Sequence, residues 1–548
     1  MADKSSYLKY LPPVLWEDEP PAPAFSLGAV LRIFEKVLTG IDDDVEVRHR
    51  GHVHPPLTTE IARLERLFDP WKTPESFLPW LASWVALEFP TLQDLPLWDE
   101  YQQRKVTSEI AQIYRQRGLK AGLNQYLELY AVGKTRPRVA VDDGSRLLLV
   151  TSRPGALAPV AGLVTQGPVV TRDGVRSDGL IRPRCLAAAP DGTLFVGDLG
   201  VPEVVPVPLR SRVWRISADG HYDLAGAPPK PQPLDTTALP AAALAAVAVR
   251  RAQAGRPETL YVLNQAGGLF AIPSPYRDAP AALVTSLVAA GATFAPVAMA
   301  VDLNGDLLVL DRGDGVGTPN PPKVVAVQPD PLRVTRTPLR KVTEPLSLLV
   351  QPDGRLIVGD GGVQEPTAPA QFPGNLVRVD RGAATWTETT LLAAANPLVA
   401  PTGLARTGDG RLHVLDAGLK PFAPSTTDPF VCAVAEPAAV FRVDPDVTPP
   451  TVTRVTQGGQ FVYPTGLVAT GQRLVACDPG QPPVAGLQPF MSRLRPFQFD
   501  VVIHFADSRL SPDPAVRAGE LSRAVGNIRT IVGQQKPAHT LWNLVTAI

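Results

Sequence analysis

Cysteine is scarce: the 548-residue chain has three, Cys185, Cys432 and Cys477. They lie far apart in sequence, which excludes a disulfide framework and a CxxC metal knuckle and points to a reducing, cytoplasmic origin. A surplus of one charge sign is also missing. Lys+Arg and Asp+Glu number 53 each, where a dedicated nucleic-acid binder shows a basic excess. Charged residues are only 19% of the chain and hydrophobic ones 45%, which excludes an acidic disordered tail. No uncharged apolar run reaches the roughly 18–20 residues of a membrane helix. The run AAALAAVAV at 241–249 is too short, and Arg250 and Arg251 follow it at once. The opening MADKSSYLKYLPPVLWEDEPP has no apolar leader core, so no standard export signal is expected. GxSxG, Walker A, HExxH and a GxGxxG in strand–helix context are absent too, so nothing suggests catalysis.

Proline is abundant: 60 residues, about twice the usual share. Twelve fall in 1–135, 44 in 136–490 and four in 491–548. Long helices are therefore excluded from the middle. Tryptophan runs the other way, with five of eight (Trp16, Trp71, Trp80, Trp84, Trp98) in the first 135 residues. Two compositions imply at least two folding regimes.

The first regime is helical. Leu27, Val30, Leu31, Phe34, Val37, Leu38, Ile41 and Val45 recur at steps of three and four, one apolar stripe over 26–47. Leu57, Ile61, Leu64 and Phe68 repeat it briefly. In TPESFLPWLASWVALE, Thr73 is the expected N-cap and Pro74 the N1 residue. Phe77, Leu78, Trp80, Leu81, Trp84 and Val85 cover most of that helix, which places it centrally. A fourth helix is expected over 98–117, stopped by Gly118, and a fifth over 119–131. Residues 1–135 read as an all-α domain.

The second regime is repetitive. PRCLAAAPDGTLFVGDLG from Pro183 has counterparts starting at Pro296, Pro345, Pro401 and Pro464, with a degenerate copy at Pro240. The starts are separated by 57, 56, 49, 56 and 63 residues, the signature of a repeat architecture. Each copy has an apolar run, an Asp-Gly-like pair read as a two-residue hairpin turn, an alternating run and further short strands. Four strands per period make one propeller blade, and the expectation is six blades over 136–490. The last copy lacks outer strands, which RVAVDDGSRLLLV and GLVTQGPVV (138–170) can supply from the other end of the domain. The segments resemble propellers with NHL-type repeats, a likeness of fold and not of function.

Residues 491–548 read as a strand over FQFDVVIHF, half-buried by its alternation, then a helix over SPDPAVRAGELSRAVGNIRTIVGQQ, then a strand after Pro537. This α/β unit is too small to stand alone and is expected to pack on the N-terminal helical domain, which makes the propeller an insertion.

The pieces YLPPVLW, IFEKVLTGIDDDV, RLERLFDPWKTPESFLPWLASWVALE and IYRQRGLKAGLNQYLELYAVG, followed at the far end by FQFDVVIHF and IVGQQKPAHTLWNLV, resemble the phage tail protein I family. Its members are the smaller wedge subunits of baseplates in contractile tails and extracellular contractile injection systems. The resemblance covers about 190 residues in two blocks; the intervening stretch of some 350 residues departs from the family. It implies pairing with two copies of a baseplate-J-like subunit, contact with neighbouring wedges, the hub and spike, and sheath-proximal proteins. It also implies assembly in the bacterial cytoplasm before incorporation into the particle. The propeller lies outside the resemblance and is read separately as a peripheral module that docks another particle component, a fibre or an envelope ligand. Candidate partner-binding residues are Phe34, Trp80, Trp84, Tyr114, Tyr130 and Trp542.

Candidate chemistry has a bland counterpart in each case. His49, His52 and His54 have metal-like spacing but read as an interhelix loop, with only Asp42, Asp43 and Asp44 nearby. Asp302, Asn304 and Asp306 resemble part of a calcium loop but lack its distal Glu. The recurrent Asp198, Asp311, Asp360, Asp416 and Asp478 invite comparison with propeller lactonases, so a metal-dependent hydrolase fused to a helical module is the alternative reading. An active site breaks symmetry, however, and a turn cap repeats it, so backbone capping is expected. The cysteines read as buried and structural, and His539 as part of a helix stop. No catalytic, cofactor-binding or metal-ligating residue is assigned.

Overall fold

The computed structural model describes residues 5–15, 26–43, 45–49, 52–92, 95–96, 98–130, 135–151, 157–167, 169–170, 176–177, 179–200, 211–225, 229–236, 239, 242–253, 255–276, 280–289, 293–315, 317–362, 374–382, 385–393, 395–420, 431–447, 449–480 and 497–545. Two compact units divide it, Met1–Tyr114 and Arg115–Ile548.

In the first unit, α1 (Leu27–Leu38) starts at Ser26, whose Oγ accepts from Ala29 N at 3.1 Å. It is shorter than its apolar stripe, because Gly40 takes a left-handed φ of 90° and turns the chain before Ile41. The preceding 3-10 turn, Ser6–Tyr10, is tied to α1 through Glu35, which accepts from Ser5 Oγ at 2.6 Å and Ser6 N at 2.9 Å. Those bonds hold the Glu35 carboxyl below its ordinary range. α2 (Leu57–Ala62) runs into a 3-10 turn, Leu64–Phe68.

The helix expected from Thr73 begins later. A 3-10 turn, Glu75–Phe77, comes first, then α3 (Leu78–Ser83), and the Thr73 hydroxyl is buried with no hydrogen-bond partner. Pro79 explains the correction: deep in a helix begun at Pro74 it would lose a hydrogen bond and clash, whereas in the first turn of α3 it does neither. α4 (Glu100–Tyr114) opens on a reciprocal cap, with Gln102 N donating to Asp99 Oδ1 at 2.8 Å and Asp99 N to Gln102 Oε1 at 3.1 Å. Leu8, Leu78, Leu81, Ala82, Leu87, Trp98, Val106, Ile110 and Ile113 are the buried apolar side chains among the described residues here.

The second unit starts with α5 (Lys120–Tyr130). The sequence grouped this helix with the N-terminal domain; it belongs with the second unit because it packs on α6 (Pro514–Gln535) and β1 (Arg138–Asp142). Strands β2 (Ser145–Val150) and β3 (Val160–Thr165) follow. Next comes a sheet of β4 (Pro183–Ala188), β5 (Leu194–Asp198) and β6 (Arg212–Ile216). Another holds β7 (Leu244–Arg250), β8 (Thr259–Asn264), β9 (Gly268–Pro273) and β10 (Ala282–Ser286). Then come β11 (Pro296–Val301), β12 (Leu307–Asp311), β13 (Lys323–Pro329) and β14 (Leu332–Pro338). The following sheet is β15 (Pro345–Val350), β16 (Leu356–Asp360), β17 (Asn375–Arg381) and β18 (Trp386–Thr390). The next has β19 (Pro401–Arg406) and β20 (Leu412–Asp416), then, after the short β21 (Val431–Cys432), β22 (Ala439–Asp444) and β23 (Thr451–Arg454). The last copy contributes β24 (Gly466–Thr470) and β25 (Arg473–Cys477), completed by β2 and β3 in the order β24-β25-β2-β3.

First strands lie side by side around a ring: β4 by β7, then β11, β15, β19 and β24, which returns to β4. Chain from both ends thus closes the last sheet, as the missing outer strands required. Burial falls outward: β5, β12, β16 and β20 are buried at every position, while β14 is almost wholly exposed. The closure is apolar, with Leu147, Leu194, Val196, Trp214, Ile216, Val475 and Cys477 packed between the last and first sheets. The turns differ from the two-residue type. Gly192 N donates to Ala189 O at 3.0 Å and Gly192 alone has a positive φ, 88°, so Pro190-Asp191-Gly192 is a type I turn closed by a left-handed glycine.

Strand β26 (Gln498–Ala506) pairs antiparallel with β1 and parallel with β27 (Leu541–Val545), and its end pairs parallel with β21. The sequence read β26 as half-buried, but Val501 to Phe505 are buried on both faces. Edge pairing does not account for this; it is packing on the faces, as of Val502 with Val462, that removes the solvent side, and alternation marks only the more apolar face.

Candidate functional site

The first unit leaves much apolar surface in water. On α1, Val30, Ile33, Phe34, Val37 and Leu38 are all exposed, and Gly28 is the buried residue of that helix. Around α3 the aromatics stack on one another: Trp80 and Trp84 lie 4.7 Å apart between ring centres, Phe77 is 4.8 Å from Trp80, and Phe68 is 5.5 Å from Trp84. Trp84 is nevertheless 62% exposed and Phe68 51%. The expectation of a central helix with most of its circumference covered fails here, since Leu78, Leu81 and Ala82 make its buried side and the tryptophans point out. Scattered apolar side chains are ordinary on a protein surface, whereas clustered ones of this size are uncommon.

The structure brings Trp80 and Trp84 together. Phe34 belongs to the α1 stripe. Tyr114 is half-buried, and its hydroxyl donates to Ala86 O at 3.2 Å. Tyr130 and Trp542 fall in the second unit: Tyr130 ends α5 with its side chain outside the described residues, and Trp542 sits on β27 opposite Phe499 of β26. Ile33, Phe68, Trp71 and Tyr101 were not among the candidates, yet each is exposed. Of these only Phe68 stood in a stripe read from the sequence, and spacing cannot say which stripe lacks a partner.

The recurrent aspartates cap backbone, as their repetition suggested. Asp416 accepts from Val399 N at 2.8 Å, Ala400 N at 3.0 Å and Gly418 N at 2.7 Å. Asp478 does the same for Val462, Tyr463 and Gly480, Asp360 for Thr343, Glu344 and Gly362, and Asp198 for Ile181, Arg182 and Gly200. Asp311 takes Ala295 and Gly313 N–H groups and Lys323. In every case the glycine two residues on has a positive φ, 59° to 69°, so the Asp-x-Gly spacing couples an acceptor to a left-handed corner. Burial pushes the Asp416 carboxyl up to about 6 against the pull of its three N–H donors. These carboxylate oxygens are thus engaged by backbone N–H donors.

The axial channel, about 240 Å³, is lined from successive first strands by Cys185, Ala246, Ala298, Ser347, Gly403 and Gly466, with Arg184 its charged residue among those described. Asp302 accepts from Asn304 N and Asp306 N and meets Arg381 at 3.2 Å, the geometry of a hairpin turn. Arg48–His49 and His52–Val53 form a small hairpin, with the His49 and His52 side chains and Asp44 outside the described residues. Burial pushes the Cys477 thiol up to about 12 and Cys432 to about 11, so both stay protonated. Among the described residues no three His, Cys, Asp or Glu side chains are grouped to hold a metal ion, and no helix is long and apolar enough to cross a membrane.

The chain is similar at low identity to several solved structures. Gluconolactonase from Xanthomonas campestris is 17% identical over 57% of this chain and 92% of that one, with a TM-score of 0.36. The calcium-binding protein regucalcin from Agrobacterium tumefaciens is 14% identical over 56% and 82%, TM-score 0.34. Virginiamycin B lyase from Staphylococcus aureus is 11% identical over 54% and 94%, TM-score 0.33. At these values no chemistry transfers. No curated protein matches the chain. The sequence model of the family described as Phage tail protein (Tail_P2_I) matches residues 48–137, from the small hairpin through α5, and so takes in the aromatic cluster.

Proposed function

We propose that the chain is a structural wedge component of the baseplate of a phage tail or contractile injection system, and not an enzyme. The observation that carries this reading is the coincidence of the family match with helices whose tryptophans face water. The first unit engages baseplate-J-like subunits, two per copy, through Phe34, Trp80 and Trp84. Neighbouring wedges, the hub with its spike, and sheath-proximal proteins complete its surroundings. The two terminal blocks, 1–135 and 491–548, flank an inserted six-bladed propeller over 136–490, a reading supported by the closed circuit of first strands. The protein assembles in the bacterial cytoplasm and leaves it as part of the particle. The hydrolase alternative draws no support from an axial channel without a carboxylate among its described lining residues.

The test is co-expression and co-purification with a baseplate-J-like subunit from the same source. Trp84→Glu is expected to weaken the complex roughly thirtyfold, as loss of an interfacial tryptophan does, and Phe34→Glu to act in the same direction. Wild-type protein that binds no baseplate subunit, or a Trp84→Glu variant that binds as wild type, would overturn the proposal.

A further inference from the structure

The ring and the sheet of β1, β26 and β27 meet through buried arginines. Arg138 on β1 and Arg146 on β2 are both at most 2% exposed. Arg138 Nη2 donates to Ala417 O at 3.1 Å and to Val462 O. Ala417 is the middle residue of the Asp416 corner, and the Val462 N–H is held by Asp478. The guanidinium is therefore inserted between two neighbouring corners of the ring. Its Nη1 faces His504 Nδ1 of β26 at 3.5 Å, and His504 Nε2 meets the Tyr463 hydroxyl at 3.1 Å.

Arg146 repeats the device one corner further round. Its Nε donates to Ile181 O at 3.2 Å, beside the Asp198 corner, and its Nη1 to Asp142 Oδ1 of β1 at 2.9 Å. Only Asp143 and Gly144 separate β1 from β2, the strand that closes the ring. The pairing of β21 with β26 adds a third tie, and Arg509, which donates to Arg136 O at 3.1 Å and Ala435 O at 3.2 Å, a fourth.

We propose that Arg138 and Arg146 latch the ring to the terminal α/β sheet, so that the two open as one cooperative body and do not swing as hinged modules. The physical reason is the cost of withdrawal. A guanidinium that leaves its pocket strands buried carbonyls and corner carboxylates without their counter-charge. Displacing β1 also pulls on β2, and with it the closure of the ring. The latch lies wholly inside the second unit, so its test is independent of any baseplate partner.

Hydrogen exchange of the full-length chain under increasing denaturant reads this directly. In wild type, amides of Gln498–Ala506 and of Arg473–Cys477 are expected to open with the same free energy and the same denaturant dependence. In Arg138→Met, exchange over Gln498–Ala506 is expected to rise roughly ten- to a hundredfold, while Leu307–Asp311 on the far side of the ring keeps its wild-type rate. Arg138→Lys, which keeps the charge but loses the forked donors, moves the same way by less. If Arg138→Met does not fold, the wild-type comparison and Arg138→Lys decide. Wild-type β26 opening tenfold or more ahead of β25, or variants that raise exchange equally everywhere, would refute the latch.

Discussion

Asp416→Ala is expected to destabilise the second unit by about 4 kcal/mol, one of the larger costs a single substitution carries. Asp416 is 2% exposed, and its two oxygens receive three backbone donors, Val399, Ala400 and Gly418. Alanine removes the acceptor of all three N–H groups at once. Asp416→Asn is expected to fall between: one amide oxygen still serves Val399 and Ala400, but the amide NH2 faces the Gly418 N–H, donor against donor. The control is Asp353→Ala at a hairpin tip, where the carboxylate accepts from Arg355 N at 3.0 Å in solvent; water replaces that bond, and the change stays below about 1 kcal/mol. Denaturant midpoints of the purified chain, followed by circular dichroism, check the series. Equal effects at Asp416 and Asp353 would mean that the corners are ornaments of the ring and not its supports.

That contrast shows what the sequence could and could not reveal. Asp-x-Gly after an apolar strand was readable as a repeated cap because one mechanism, an acceptor beside a left-handed glycine, needs both residues at fixed spacing. The closure of the last sheet was readable from a strand count. The departure of β1 was not, because RVAVD and SRLLLV are equally strand-like. Whether β1 continued the ring or left it for β26 depended on Arg138 and His504, residues far apart in sequence. For the same reason the sequence did not show that α5 joins the second unit: its apolar face fits any apolar surface, and only the shared contacts with α6 and β1 decide.

The candidate site was legible in kind but not in place. Trp80 and Trp84 at a four-residue step announced an aromatic face, yet the same step describes a buried helix and a waiting one. The structure separates them because Leu78, Leu81 and Ala82 take the inner side, which leaves Trp80 and Trp84 on the outer one. Tyr130 and Trp542 looked equivalent by residue type and belong to the other unit. Composition alone carries no information on which unit a side chain joins.

Acid is expected to weaken the second unit through His504, by roughly 4 kcal/mol between pH 6.5 and 3. The side chain is fully buried on β26, and burial, with the Arg138 guanidinium beside it, pushes the imidazole down to about 3. Arg138 can only donate, so the neutral ring accepts at Nδ1 and carries its proton on Nε2, toward Tyr463. Above pH 6.5 the folded and unfolded chains are both neutral at this residue, and no dependence arises from it. As pH falls below 6.5 the unfolded chain takes up a proton that the folded chain refuses until about pH 3, so stability drains across that window. His504→Asn keeps a polar group beside Arg138 but cannot titrate. The difference in unfolding free energy between wild type and this variant should therefore shrink by roughly 4 kcal/mol from pH 7 to pH 3. Carboxylates and the half-buried surroundings of other groups are common to both proteins and cancel in that difference. A difference that stays level over the whole range would show that His504 protonates in place, which a buried ring against a buried guanidinium should not allow.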